Sequence, residues 1–165
     1  MITISVRKAP KTPTPAQRRA LLAALADDKG RVPASTDSRV LGAIERALWV
    51  NEVTNTGRAA WSARLHGYKG PTFLSINSRG RTALLTDAGR TALRGAGPDG
   101  KLPADTGWPT ARTLHRDGLA EYRAADGTAH PTDGDDGVSG PLHTPYVTEL
   151  GRRIVTGFPQ AHRAA

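Results

Sequence analysis

Residues 80–93 read GRTALLTDAGRTAL, so the pentapeptide Gly-Arg-Thr-Ala-Leu stands twice, at 80–84 and again at 89–93. Either one helix carries a local repeat, or two separate elements that look alike meet here. The rest of the chain decides between these readings, because each copy has its own counterpart elsewhere.

Residues 14–21, TPAQRRAL, match residues 86–93, TDAGRTAL, as T-x-A-x-R-x-A-L. GRVPAST at 30–36 matches GKLPADT at 100–106. The segment from Ile44 then lies over that from Leu114, sharing Arg46 and Arg116. Gly57, Gly67, Gly70 and Pro71 recur as Gly127, Gly137, Gly140 and Pro141. Finally INSRGRTAL from Ile76 lies over VTELGRRIV from Val147. Ordered matches at a nearly constant offset point to an internal duplication. The expected division is an N-terminal arm at 1–13, unit 1 at 14–85, unit 2 at 86–157 and a tail at 158–165. The pentapeptide at 80–84 then closes unit 1, and the one at 89–93 opens unit 2. LLTDAGRTAL also fits a closing segment, which would move the seam about nine residues later; a break in the helix near Leu85 separates the two.

Within each unit the expected order is the same. Thr14-Pro15 starts a helix, the hydroxyl capping free amides and Pro fitting the first helical position. Leu21, Leu22 and Leu25 form its apolar stripe, and Gly30 ends the run. Thr86 caps the equivalent helix, with Asp87 at its positive end, and Gly95, Gly97 and Pro98 cut it short. A turn with Pro33 or Pro103 leads to a second helix, on which Val40, Leu41, Ile44 and Leu48 share one face. In unit 2, Pro109 starts that helix and Gly118 ends it. Strand-like segments follow (LWVNEV, LAEY), then long Gly-containing excursions, a second strand (PTFLSIN, TPYVT) and a closing segment capped by Asn77 or Thr148.

This order resembles that of winged helix–turn–helix DNA-binding proteins. LHRDGLAEY at 114–122 is similar to the end of a recognition helix entering the first wing strand, and YVTELGRRIV at 146–155 resembles the wing strand and L-T-x-x-G-R signature of MarR-like and related bacterial families. The resemblance implies an α+β fold of two tandem winged-helix-like units, each with helices, a small antiparallel sheet and a wing hairpin. Two departures stand out. The second helix of the family is shortened to a turn or lost, and the Gly expected after the recognition helix is Leu48 in unit 1.

The formal net charge of +8 favours polyanionic partners. Yet 18 Arg against 5 Lys is also what a GC-rich genome produces, so the distribution matters more than the total. Residues 1–85 carry 14 Lys+Arg and 5 Asp+Glu, or +9, against 9 and 10, or −1, for residues 86–165. A codon bias would act on both halves alike. Unit 1 is therefore the expected double-stranded DNA-binding half. By the resemblance, Ser38, Arg39 and Arg46 lie on the recognition helix, Arg58, Arg64, His66 and Lys69 on the wing, and Arg7, Lys8 and Lys11 on an arm along the backbone. The unit 2 excursion, ADGTAHPTDGDDGVSG, holds four Asp and no cation, and phosphate would repel it. Unit 2 is left to dock on unit 1, to self-associate or to bind a protein.

The expected function is transcriptional regulation or accessory work for a mobile element, the alternative being a protein-interaction adaptor that does not bind DNA. Cysteine is absent, which excludes disulfides and thiolate metal sites. The five histidines lack metal-ligand spacing, and no nucleophile elbow, phosphate loop or dinucleotide fingerprint occurs. No enzyme activity, cofactor or metal is expected. Nothing approaches a membrane span or a signal peptide, so the expected location is cytoplasmic.

Overall fold

The computed structural model describes residues 12–158. Arg7, Lys8 and Lys11 lie outside them. The fold mixes α and β, with seven helices and two small antiparallel sheets among the described residues, and the chain divides into two compact units between Leu84 and Leu85. No helix among the described residues is long and apolar enough to cross a membrane.

Unit 1 begins with α1 (Pro15–Ala26), where Thr14 and Gln17 form a reciprocal capping box and Pro15 occupies the first turn. Leu21 and Leu25 are wholly buried, each contributing about 1.5–3 kcal/mol. One turn, closed by the Thr36 amide on the Pro33 carbonyl at 3.0 Å, leads to α2 (Ser38–Arg46), capped by Asp37. Strands β1 (Val50–Thr54) and β2 (Thr72–Ile76) pair antiparallel, Val50 opposite Ile76. Arg31 adds a bridge to Ser75 on the outer edge. Helix α3 (Ala60–Leu65) lies within the β1–β2 excursion, and α4 (Ser78–Ala83) closes the unit.

Unit 2 runs α5 (Asp87–Arg94), α6 (Trp108–Arg116), β3 (Ala120–Arg123), β4 (Ala129–His130), β5 (Thr144–Val147) and α7 (Glu149–Thr156). Its sheet has the order β4-β3-β5, and Lys101 bridges Tyr146 as Arg31 bridges Ser75. A turn from Pro103 to Thr106 again stands between the first two helices.

The hydrogen bonds of the two units correspond in detail. The Trp49 amide donates to Ile44 O at 3.1 Å, and the Leu119 amide to Leu114 O at 2.8 Å. The Asn77 amide donates to Trp49 O at 3.0 Å, and the Thr148 amide to Leu119 O at 3.1 Å. Asn77 Nδ2 reaches Leu48 O at 3.0 Å, and Thr148 Oγ1 donates to Gly118 O at 2.6 Å. The same two caps accept from the Gly80 and Gly151 amides at 3.0 and 3.1 Å. Both glycines are buried, and a Cβ on either would drive into the Trp49 or Leu119 carbonyl oxygen. Gly89 is different. Thr86 caps it in the same way, but a Cβ there meets nothing closer than the cap's own Oγ1 at 3.3 Å. Gly80, not Gly89, is thus pressed against the sheet. The backbone breaks between them, with α4 ending at Ala83, Leu84 as its C-cap, and Thr86 taking extended angles before α5.

Two expectations are corrected. Leu48 was placed on the apolar face of α2, but that helix ends at Arg46 and Leu48 lies beyond it, 56 % exposed with φ +59°. It occupies the left-handed position that Gly118 (φ +74°) fills in unit 2. Val40 and Leu41 are half-buried, and Ile44 carries the packing. The 55–71 excursion, expected as a wing hairpin, holds α3 instead. Ala60 and Ala63 are small enough for this helix to lie directly on β1, so packing offsets the weakness of a six-residue helix.

The glycine contacts carry a prediction. Gly80→Ala and Gly151→Ala should each cost about 1–3 kcal/mol in urea denaturation, the usual penalty for overpacking. Gly89→Ala should change stability by about 1 kcal/mol or less. The left-handed positions carry another. Gly118→Ala should destabilise by about 1 kcal/mol, whereas Leu48→Gly should not lower the melting temperature, because an L-residue there is strained and its side chain largely exposed.

Candidate nucleic-acid interface

Among the described residues, the expected DNA-facing residues fall on α2 and on the β1–β2 excursion around α3, and both helices pack against β1. Ser38, Arg39 and Arg46 lie exposed on α2. The Asp37 carboxylate is used by the Arg39 amide at 2.8 Å, which starts the helix. The Arg46 guanidinium folds back over Gly42, where a Cβ would lie 3.1 Å from Nη1. Glycine inside a helix costs about 0.5–1 kcal/mol relative to Ala; here it clears the exposed surface over which Arg46 lies. No carboxylate bridges Arg39, Arg46 or Arg58 among the described residues.

Arg58, Arg64, His66 and Lys69 all lie in the excursion around α3, and all are exposed. Their situations differ. Arg58 sits in the turn leaving β1, where its amide donates to Thr54 Oγ1 at 3.2 Å. Arg64 is clamped: Nη2 and Nη1 reach the two Glu52 oxygens at 2.6 and 3.0 Å, and Thr72 donates to the same carboxylate at 2.5 Å. The guanidinium and the Thr72 hydroxyl hold the Glu52 carboxyl below its usual range. Arg64 is thereby turned to β1, which reduces its value as a phosphate ligand. His66 Nδ1 lies 2.8 Å from Ser62 O, where it serves the end of α3.

The sequence reading passed over Arg31. It stacks on Phe73 with Cζ 4.1 Å from the ring centroid, which fixes a cation on the outer edge of the unit 1 sheet. Trp61 and Leu65, also passed over, are 69 % and 76 % exposed on α3.

Unit 2 disposes of its cations differently. Arg112 stands at the α6 position that Gly42 holds on α2. Its guanidinium lies over Trp108 at 4.4 Å, and it reaches Asp133 at 2.7 Å and Asp135 at 3.2 Å. The acidic excursion is thereby folded onto the helix. Asp133 is buried, and its main-chain oxygen also accepts from the Leu142 and His143 amides at 2.9 Å. Asp136 accepts from the Val138 and Ser139 amides of its own loop. Arg116 lies 3.6 Å from Asp117, and Arg123 pairs with Glu121. Histidines are likewise engaged in the fold. His115 stands between Ala120 O and Pro131 O at 3.2 and 3.0 Å, and His130 stacks on His143 at 4.0 Å.

The Arg112–Asp133 pair gives a pH dependence. Hydrogen bonding to Arg112 holds the Asp133 carboxyl below its ordinary value. A folded value below the unfolded one means that the stabilisation is complete above the ordinary aspartate value, about 3.9, and is lost as pH falls through the lower folded value. The stability difference between wild type and Asp133→Asn should therefore stay constant from about pH 7 to 5 and narrow below about pH 4. Urea titrations at pH 7 and 3 measure it, and a difference independent of pH would refute the bridge.

No family model, curated protein or solved structure matches this chain.

Proposed function

We propose that the chain is a double-stranded DNA-binding protein built from two winged-helix-like units, acting as a transcriptional regulator or mobile-element accessory protein. Unit 1 is the DNA-binding half. The observation that carries this reading is the contrast between equivalent helices: α2 leaves Arg39 and Arg46 exposed without a carboxylate partner, while α6 has Arg112 bound by Asp133 and Asp135. The two helices share their place in the fold and differ in what their cations can do.

Helix α2 would enter the major groove, with Arg39 and Arg46 directed to guanine edges or phosphates and Ser38 at its N-terminal end. Gly42 supports this placement, because it leaves room on the helix for the Arg46 guanidinium to lie over it. Arg58 and Lys69 on the excursion would hold phosphate, Arg64 contributing less because Glu52 occupies it. No bond-making or bond-breaking step is involved. Binding follows from neutralising phosphates and reading base edges.

For unit 2 the specific observation favours a protein partner or self-association. Its acidic excursion is locked in place and would repel phosphate, while Trp108 remains 58 % exposed beside Arg112. The alternative for the whole chain, an adaptor that binds no DNA, extends this property to unit 1.

A mobility-shift titration with mixed genomic fragments at two salt concentrations distinguishes them. The logarithm of affinity should fall against that of salt with a slope near about −0.9 per phosphate engaged. No shift at low salt would discard DNA binding and leave the adaptor. Arg39→Ala with Arg46→Ala should weaken binding by about 10- to 100-fold. Arg112→Ala with Arg116→Ala should change it about twofold at most, since these side chains are already neutralised. The reverse order would overturn the assignment of DNA binding to unit 1.

A further inference from the structure

Helix α3 is amphipathic the wrong way round. Its small residues, Ala60 and Ala63, are buried on β1, and its large apolar residues, Trp61 and Leu65, point to solvent. Trp61, Arg64 and Leu65 share one face by their i, i+3, i+4 spacing. Of the three, only Arg64 is drawn back, by the bidentate contact with Glu52. Six residues do not make a helix stable by themselves. This one is held by the alanines beneath it and by the Arg64 clamp, so the two large side chains are presented from a fixed base.

The surroundings say what such a tip meets. The excursion that carries α3, residues 55–71, holds no Asp or Glu, while Arg58, Arg64 and Lys69 fall within it. The nearby Glu52 carboxylate is taken up by Arg64, which leaves Arg58 and Lys69 as the cations beside the tip. An apolar tip flanked by such cations is complementary to a polyanion with apolar surface behind its charges. Duplex DNA has that construction, with phosphates outside and stacked bases within. The corresponding excursion of unit 2 has the opposite character, with four Asp and no cation.

We infer that Trp61 and Leu65 form an apolar wedge that enters a base step of duplex DNA, while Arg58 and Lys69 hold the flanking phosphates. This rests on the DNA-binding reading of unit 1 and adds a mode of action to it: the protein kinks the duplex. Unstacking one step costs free energy, which is offset when the bent duplex meets more of the protein surface. The base contact is apolar, so it contributes affinity without adding to the salt dependence.

The test combines a mobility shift, a circular-permutation bending assay and tryptophan fluorescence on the full chain. Trp49 is 5 % exposed and Trp108 lies in unit 2 against Arg112, so Trp61 is the indole positioned to respond when unit 1 meets DNA. Wild type should bend the duplex and lose fluorescence on binding. Trp61→Ala and Leu65→Ala should each weaken binding about tenfold, abolish the bend and leave the salt slope unchanged. Trp61→Phe should retain most of the bend. Because both side chains are exposed, melting temperatures of the variants should match wild type, which separates this loss from misfolding. No wild-type shift at low salt overturns the DNA reading and the wedge together. A wild-type shift without a bend, or an alanine variant that binds and bends as wild type does, overturns the wedge alone. Trp61-dependent sedimentation with anionic phospholipid vesicles, with DNA bending unaffected by Trp61→Ala, would also overturn it and assign the tip to a lipid surface.

Discussion

Each unit is organised around a carbonyl group that leaves no room for a side chain. The carbonyl of the residue that enters the first strand, Trp49 or Leu119, accepts from the cap of the closing helix and lies against the glycine three residues on. One contact thus joins the end of the second helix, the start of the sheet and the closing helix. The cap side chain extends the junction by bonding the preceding carbonyl, through Nδ2 in Asn77 and Oγ1 in Thr148. Two chemically different side chains meet the same requirement, because the geometry asks only for one group that accepts from an amide and donates to a carbonyl. The buried residues on either side, Ile44, Trp49 and Ile76 in one unit and Leu114, Leu119 and Val147 in the other, take up corresponding positions around it.

That junction explains how the two pentapeptides could look alike and differ in role. A capped helix start needs Thr or Asn and a free amide three residues later, and all three of Asn77, Thr86 and Thr148 provide it. Whether the residue at that amide must be glycine depends on what lies opposite, which is a tertiary fact. Gly80 faces a carbonyl and Gly89 does not. Helices, strands and caps were therefore legible in the residues, since they are set by local chemistry. Leu48 was misplaced because helical periodicity extends two residues too far when no glycine marks the left-handed end. Helix α3 was missed because its apolar residues point outward, and periodicity finds helices by the face they bury. The basic residues of α2 were legible as candidates. That Arg64 is clamped and Arg112 captured was not, as both depend on partners 12 to 23 residues away.

The charge contrast between the units is likewise sharper in three dimensions than in composition. Unit 2 is not short of cations; it has Arg112, Arg116, Arg123 and Arg153 set against Asp133, Asp117, Glu121 and Glu149. A partly exposed pair such as Arg123 with Glu121 contributes about 0–1 kcal/mol to stability, while Arg112 on the buried Asp133 also holds the acidic excursion on α6. The pairs have an electrostatic consequence besides. A cation a few ångströms from a carboxylate presents a dipole to anything beyond the screening length of about 8–10 Å, and the attraction for a distant phosphate disappears. In unit 1, Arg39, Arg46 and Arg58 keep their field, and Arg64 gives its own up to anchor α3. The same ion-pair chemistry thus acts in opposite directions. It cancels the field of α6 in one unit, and in the other it spends one arginine to fix the base from which Trp61 and Leu65 project.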